Sequence, residues 1–408
     1  MKNSFLVLDI GTTTLCATLC TSNGTVLGNF TCNNPQIVFG SDVISRISAC
    51  ANGKTQKMQE LLYKDIIAIK ELFENSKPDC CIKSLYVCAN PTMLHIFCGY
   101  SAQTLGTSPF TPVFTDFLTI DKSNTPLPFD KIYVLPSASA FIGSDILCGV
   151  VSSNLTNMQK PALLIDFGTN TEMVLCHNNN IFACSASAGG AFEGANISCG
   201  VSAISGAIYK VEKIENSPEQ LYFCTIDNKQ PIGICGSAIF DIISYLLQSK
   251  IIDNTGKFVN SNRFNLCGYH KGQNGLFLDV GLINSQLTVT QDDIRAFQCA
   301  KSAVRTGVEL LSLHSGILLE NIEKVYLSGS FGSNLNPNSV LHCDILPQNL
   351  CCEITQIGNS SLMGAIDVAT NKNKLSKLIE LSKVCKTINI AQDSRFQQLF
   401  IKNINFQA

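Results

Sequence analysis

Apolar and polar positions along the chain fall into two repeating patterns. Phe5-Leu6-Val7-Leu8 is a short apolar run that stops at Asp9 and reads as a buried strand. Leu15 to Cys20 then alternates like a second strand, Asn23-Gly24 is a hairpin turn, and Thr25 to Phe30 returns antiparallel. The succession occurs again further on. Ala162-Leu163-Leu164-Ile165 stops at Asp166, Glu172 to Cys176 forms the next strand, His177 to Asn180 is a polar turn, and Ile181 to Cys184 comes back. Apolar residues spaced three and four apart predict helices over 42–50, 57–74, 236–249, 292–315 and 376–383.

The two strand–turn–strand units share more than hydropathy. Residues 5–14 read FLVLDIGTTT and residues 162–171 read ALLIDFGTNT, each an apolar strand running into Asp, an apolar residue, Gly-Thr, any residue and Thr. The expected fold class is therefore α/β, with two duplicated lobes and a nucleotide cleft between them. Gln159-Lys160-Pro161 marks the boundary, giving domains 1–158 and 159–408. Residues 90–136, rich in Pro, Thr and Ser, read as an irregular insertion in the first lobe.

A triphosphate held between two lobes needs donors from both sides and a way to hold a cation. Gly11 and Gly168 let the backbone turn tightly, while Thr12, Thr13, Thr14, Thr169 and Thr171 offer hydroxyls and Asn170 an amide. Asp9 and Asp166 are the hard oxygen ligands expected to hold Mg2+ through water. Late in the second lobe, Val325-Tyr326-Leu327-Ser328 runs into Gly329-Ser330-Phe331-Gly332, the expected adenosine loop. Gly233-Ile234-Cys235-Gly236-Ser237 opens a helix, and reads equally as a further source of backbone donors or as a structural cap. Glu193 is the candidate catalytic base. The strand–turn architecture resembles the actin-like (ribonuclease H-like) lobes of acetate and sugar kinases, actin and the heat-shock chaperone ATPase, not a Walker loop, since GxxxxGK[ST] does not occur.

Composition narrows the partners. With 29 Lys+Arg against 31 Asp+Glu and no basic cluster, the chain lacks the cationic surface that nucleic acid demands. The apolar start is too brief to span a membrane, so a cytoplasmic protein is expected. Its 20 cysteines include no Cys-x-x-Cys pair, which leaves no zinc ribbon or thioredoxin-type motif. Buried thiols in a reducing, anaerobic setting are the expectation, with Cys80-Cys81 and Cys351-Cys352 the pairs to watch as cluster ligands. The five histidines are scattered, in no metal-ligand spacing.

Several segments resemble one family in particular, the ATP-dependent reductive activators of corrinoid proteins. They are Asn34-Pro35-Gln36, Phe39-Gly40-Ser41-Asp42-Val43-Ile44-Ser45-Arg46-Ile47, the Asp166 turn through Glu172, and Ala191 to Ile197 with Cys199-Gly200. Gly233 to Ser237, Thr290 to Arg295, Gly329 to Gly332, and Gly358-Asn359-Ser360-Ser361-Leu362-Met363-Gly364-Ala365 continue the match in order. The resemblance implies an ATPase that drives reduction of a cob(II)amide to cob(I)amide in a methyl-transfer corrinoid protein. The family usually carries a ferredoxin domain, yet no C-x4-C-x2-C run occurs here. The expectation is a match to the nucleotide-binding part alone, with no iron–sulfur cluster in this chain and a separate low-potential electron donor. Ser330 stands where a second Gly is usual, and Gly190 where Pro is usual. Ser185 and Ser187, in the small-residue loop before Glu193, are the candidate contacts to the corrinoid partner. Competing expectations are a small-molecule kinase, an idle nucleotide-binding module, and an ATPase like the dehydratase activators, homodimers that hold an iron–sulfur cluster between subunits. The oligomeric state stays open, a homodimer included.

Overall fold

The computed structural model describes residues 2–214, 217–259, 269–272, 275–279, 286–332, 334–347, 350 and 352–407. Its strands are β1 (Lys2–Ile10), β2 (Thr14–Thr21), β3 (Val26–Asn33), β4 (Cys80–Ala89), β5 (Leu118–Asp121) and β6 (Lys131–Val134), then β7 (Ala162–Phe167), β8 (Thr171–His177) and β9 (Asn180–Ala186). There follow β10 (Ala207–Ile214), β11 (Ser217–Thr225), β12 (Gly233–Ile234), β13 (Tyr269–Gly272), β14 (Gly275–Asp279), β15 (Gln286–Thr290), β16 (Lys324–Ser328), β17 (Glu353–Gln356) and β18 (Lys386–Ile388). The helices are α1 (Val43–Ala51), α2 (Thr55–Ser76), α3 (Pro91–Phe97), α4 (Ser144–Ser152), α5 (Gly236–Gln248), α6 (Gln291–Ser315), α7 (Gly329–Gly332), α8 (Pro337–His342), α9 (Ser360–Thr370), α10 (Lys372–Val384) and α11 (Phe396–Lys402). No helix among the described residues is long and apolar enough to cross a membrane.

The first sheet has the order β3-β2-β1-β4-β6-β5, with β1, β4 and β6 parallel and the β1–β2–β3 meander antiparallel. A second six-stranded sheet has the order β17-β16-β7-β8-β9-β18. Within their own sheets, β9-β8-β7-β16 are the third, second, first and fourth strands in chain order, as β3-β2-β1-β4 are, with β17 next in the one and β6 in the other. The duplication in sequence is thus a duplication of topology. Two further three-stranded sheets, β11-β10-β12 and β13-β14-β15, belong to the second half.

The chain forms two compact units that are not contiguous in sequence. Unit 1 comprises Met1–Leu164, Val174–Cys184 and Asn359–Ile388, and unit 2 comprises Ile165–Met173, Ser185–Gly358 and Asn389–Ala408. The Gln159-Lys160-Pro161 boundary therefore does not divide the two by itself, because α9 and α10 return to unit 1. In unit 1, α2 buries Met58, Leu62, Ile66, Ile69 and Phe73 at helical spacing against Leu6, Leu8, Leu85 and Val87 of the sheet. Each such side chain contributes about 1.5–3 kcal/mol on leaving water. Helices α4 and α9 approach closely through glycine: a Cβ on Gly364 would stand 2.0 Å from the Cys148 carbonyl oxygen.

One expectation is corrected here. Residues 90–136 are no irregular insertion, since Ile132 and Val134 are buried in β6, paired parallel to β4 inside the main sheet. Helix α3, capped by Asn90, is buried at all seven positions and so leaves no amphipathic period in the sequence.

Candidate functional site

In unit 1, β1 delivers Asp9 and Ile10 to a tight turn that β2 leaves at Thr14, with Asp9 opposite Cys16 in the ladder. Gly11 is required there, because a Cβ would stand 2.8 Å from the Thr14 carbonyl oxygen. Behind the turn lies a polar scaffold. Asn34 donates from Nδ2 to the Gly11 carbonyl at 2.7 Å and caps the short helix Pro35–Phe39, accepting the Gln36 N–H. The fully buried Arg46 donates to the carbonyl of Thr12, to the Gly40 carbonyl at 3.2 Å and to Gln36 Oε1 at 3.2 Å. Gln36 is itself held by donating to the Met58 carbonyl. Asn90 donates to Thr12 Oγ1 at 3.2 Å, so that hydroxyl is engaged within the unit, whereas Thr13 and Thr14 are half-buried. Burial lowers the Arg46 guanidinium to about 10, and the charge of Asp42 partly opposes that shift. A buried cation, hydrogen-bonded to the neutral acceptors of Thr12, Gly40 and Gln36, therefore underlies the first turn.

Asp9 itself is held by Asn359, whose Nδ2 donates to its Oδ2 at 3.1 Å while its Oδ1 caps α9 through the Leu362 N–H at 2.8 Å. The return of the chain to unit 1 at Asn359 is what brings that amide to the end of β1.

In unit 2, the turn after Asp166 closes through the Gly168 N–H on the Asn170 carbonyl at 3.0 Å. Asp166 accepts from Ser328 Oγ at 3.0 Å. Burial pushes its carboxyl up to about 6, a shift that the Ser328 hydroxyl partly offsets and no cation opposes. Thr169 donates to Glu193 at 3.0 Å, and burial raises the Glu193 carboxyl as well. Thr171 is fully buried and its hydroxyl has no hydrogen-bond partner among the described residues. The Asp166 carboxylate and the buried Thr171 hydroxyl are hard oxygen groups, the chemistry that a hydrated Mg2+ accepts as ligands.

The expected adenosine loop is the single turn α7, packed directly on Asp166 and Phe167. Gly329 has φ +92°, and a Cβ there would lie 2.4 Å from the Phe167 carbonyl oxygen and 2.7 Å from Asp166 Oδ1. The Gly329 N–H and Ser328 Oγ both donate to the Gly358 carbonyl. Ser330 lies in this turn. Phe331 joins Phe167, Phe192, Phe240 and Phe297 in one ring cluster, with neighbouring centroids 4.8 Å apart for Phe240–Phe297 and 6.0 Å for Phe167–Phe331. Five aromatic rings thus lock the second Asp-Gly turn, the Glu193 segment, α5, α6 and the glycine turn together.

The Gly233–Ser237 segment is tightly buried. A Cβ on Gly236 would stand 1.6 Å from the Phe192 carbonyl oxygen, one on Gly233 would meet Val201, and Ser237 donates to the Tyr209 carbonyl at 2.5 Å. Ser185 is half-buried and donates to Glu172 at 2.9 Å, whereas Ser187 is exposed next to Gly189 at φ +69°. The described cysteines, Cys80, Cys81 and Cys352 among them, form no disulfide with one another, and Cys351 lies outside the described residues. Among the described residues no group of three or more His, Cys, Asp and Glu is disposed to hold a metal ion.

Asn34, Gln36, Arg46 and Asn359 all stand in motifs that carry the family resemblance, yet their roles were not legible there. Their signal is polarity without exposure, which only the three-dimensional contacts reveal.

Residues 5–158 match the family model described as the RACo middle region, and residues 160–408 match the C-terminal domain of RACo, the ASKHA domain. The corrinoid activation enzyme RamQ of Eubacterium limosum is 29% identical over 98% of this chain and 70% of its own length. A [Co(II) methylated amine-specific corrinoid protein] reductase of Methanosarcina barkeri is 25% identical over 68% of this chain, which spans 52% of that relative. A solved reductive activator for corrinoid, iron-sulfur protein superposes with a TM-score of 0.85 at 28% identity, over 99% of this chain and 66% of that one. These matches and the twice-repeated strand order agree: the chain has the two-lobed actin-like fold and belongs to the RACo family, carrying its middle region and its ASKHA domain.

Proposed function

We propose that this chain is an ATPase that activates a corrinoid protein, coupling nucleotide hydrolysis to one-electron reduction of cob(II)amide to cob(I)amide. The electron comes from a separate low-potential donor. The observation that carries the reading is the pair of Asp-Gly-Thr turns, each ending the central strand of a like-ordered sheet, in a chain whose relatives are named for corrinoid activation. In this reading Gly11, Thr12, Thr13 and Thr14 from residues 1–158, and Gly168, Thr169, Asn170 and Thr171 from residues 159–408, receive the phosphates. Asp9 and Asp166 hold Mg2+, which when bound neutralises phosphate charge and the raised Asp166 carboxylate. Gly329, Ser330, Phe331 and Gly332 receive the adenosine, with Gly233, Gly236 and Ser237 bracing that wall. Glu193, raised by burial and oriented by Thr169, takes the proton of the attacking water. Ser185 and Ser187 belong to the loop that meets the corrinoid protein. Cysteines without disulfides among the described residues suit a reducing cytoplasm.

The test is ATP hydrolysis with and without a cob(II)amide-state corrinoid protein, in the natural chain and in Asp9→Ala and Asp166→Ala. Stimulation by the corrinoid protein, lost in both variants while their melting is retained, is expected. Equal hydrolysis in all three would refute the assignment of the two turns.

A further inference from the structure

The side chain of Asn359 is fixed at both ends. Its Oδ1 is committed to the Leu362 N–H at the start of α9, so its N–H face is the one turned to Asp9 Oδ2. The helix it caps is itself immobilised, because Gly364 and Gly149 allow α9 and α4 to touch at backbone distance. An amide anchored to a rigid helix and aimed at one carboxylate oxygen restricts the rotation of that carboxylate.

We infer that Asn359 is a positioning residue for Asp9, holding its carboxylate in the orientation that accepts the magnesium nucleotide. The inference rests on the reading of Asp9 as a Mg2+ ligand. Its cap and its hold on Asp9 are separable by chemistry. Serine and threonine are good N-caps, and their single hydroxyl, one bond shorter than the Asn359 amide, accepts the Leu362 N–H but stops short of Asp9 Oδ2. Asn359→Ser and Asn359→Thr therefore keep α9 capped and withdraw the amide donor from Asp9 Oδ2.

The experiment is calorimetric titration of the full chain with ATP, at saturating Mg2+ and in EDTA, alongside thermal melting. The variants are Asn359→Ser, Asn359→Thr, Asp9→Asn and the double variant Asn359→Ser with Asp9→Asn. Loss of a charge-assisted hydrogen bond should weaken Mg2+–ATP binding by about tenfold in Asn359→Ser or Asn359→Thr, with little change in EDTA. The same Asn359→Ser change should have no further effect once Asp9 is Asn. Should Asp9→Asn weaken binding while both cap-retaining variants match the natural chain, the positioning role is wrong and the function stands. Additive losses from Asp9→Asn and Asn359→Ser would overturn it equally. Should Asp9→Asn itself leave Mg2+–ATP affinity unchanged, the reading of Asp9 fails and takes the inference with it.

Discussion

The buried guanidinium of Arg46 offers the sharpest handle on the first turn. Arg46→Met leaves the acceptors on Thr12, Gly40 and Gln36 without their donor. Each buried acceptor so abandoned costs about 1–3 kcal/mol, hence roughly 3–9 kcal/mol for the three. Against this, the charge is no longer buried. Its lowering from 12.5 to about 10 corresponds to roughly 3 kcal/mol of penalty on the charged form, which the methionine removes. The net loss of stability is therefore about 0–6 kcal/mol. Nucleotide binding is affected separately, because the Thr12 carbonyl loses the bond that fixes the turn from behind. At least a tenfold fall in Mg2+–ATP affinity is expected, about 1.4 kcal/mol. Arg46→Lys keeps a cation but not the fork of donors, and should fall between the two. Denaturant melts give the stability and calorimetry the affinity. A folded Arg46→Met protein that binds Mg2+–ATP within twofold of the natural chain would show that this scaffold supports the fold and not the turn.

Other consequences follow from the second turn. The folded-state pKa of Asp166 is raised, so its burial costs nothing at pH 4 and costs most above about pH 6, where the carboxylate is ionised. Asp166→Asn should thus raise the melting temperature without nucleotide at pH 8, by up to about 3 kcal/mol of stability, and give no gain near pH 4. Equal gains at both pH values would contradict the assignment. Mg2+–ATP affinity of the natural chain should fall as pH drops through about 6, with proton release on binding in buffers of differing ionisation enthalpy. Replacing exposed Ser187 with Trp should weaken corrinoid-protein binding and spare ATP binding, and unchanged partner affinity would remove that loop from the interface. Iron and acid-labile sulfide analysis after anaerobic purification should find no stoichiometric cluster in this chain, and one iron or more per chain would reverse the reading of its cysteines.

The strand–turn–strand units were legible because Leu15 to Cys20 alternates cleanly and Asn23-Gly24 can form only a tight turn there. The α2 and α6 helices were legible from their apolar stripes. The α3 and α4 helices were not, because Pro91 to Phe97 and most of Ser144 to Ser152 are buried on every side and lose the amphipathic period. The strand β6 hid for a related reason, being four residues long among Pro and Ser. In the site, Asp9, Asp166, Glu193 and the glycines stood out through chemistry and spacing. Their supports did not, since Asn359 lies 350 residues from Asp9 and Arg46 34 residues from Thr12. The ring cluster around Phe167 was equally invisible, its members coming from five separate segments.

The central claim is that ATP makes an uphill electron transfer to cobalt possible. The direct measurement is the visible spectrum of a cob(II)amide corrinoid protein mixed anaerobically with this chain and a reduced low-potential donor, with and without Mg2+–ATP. The account predicts conversion to the cob(I)amide spectrum only when ATP is present, and none with Asp166→Ala. Conversion at the same rate and extent without ATP, or no conversion under any nucleotide while the chain hydrolyses ATP, would contradict it.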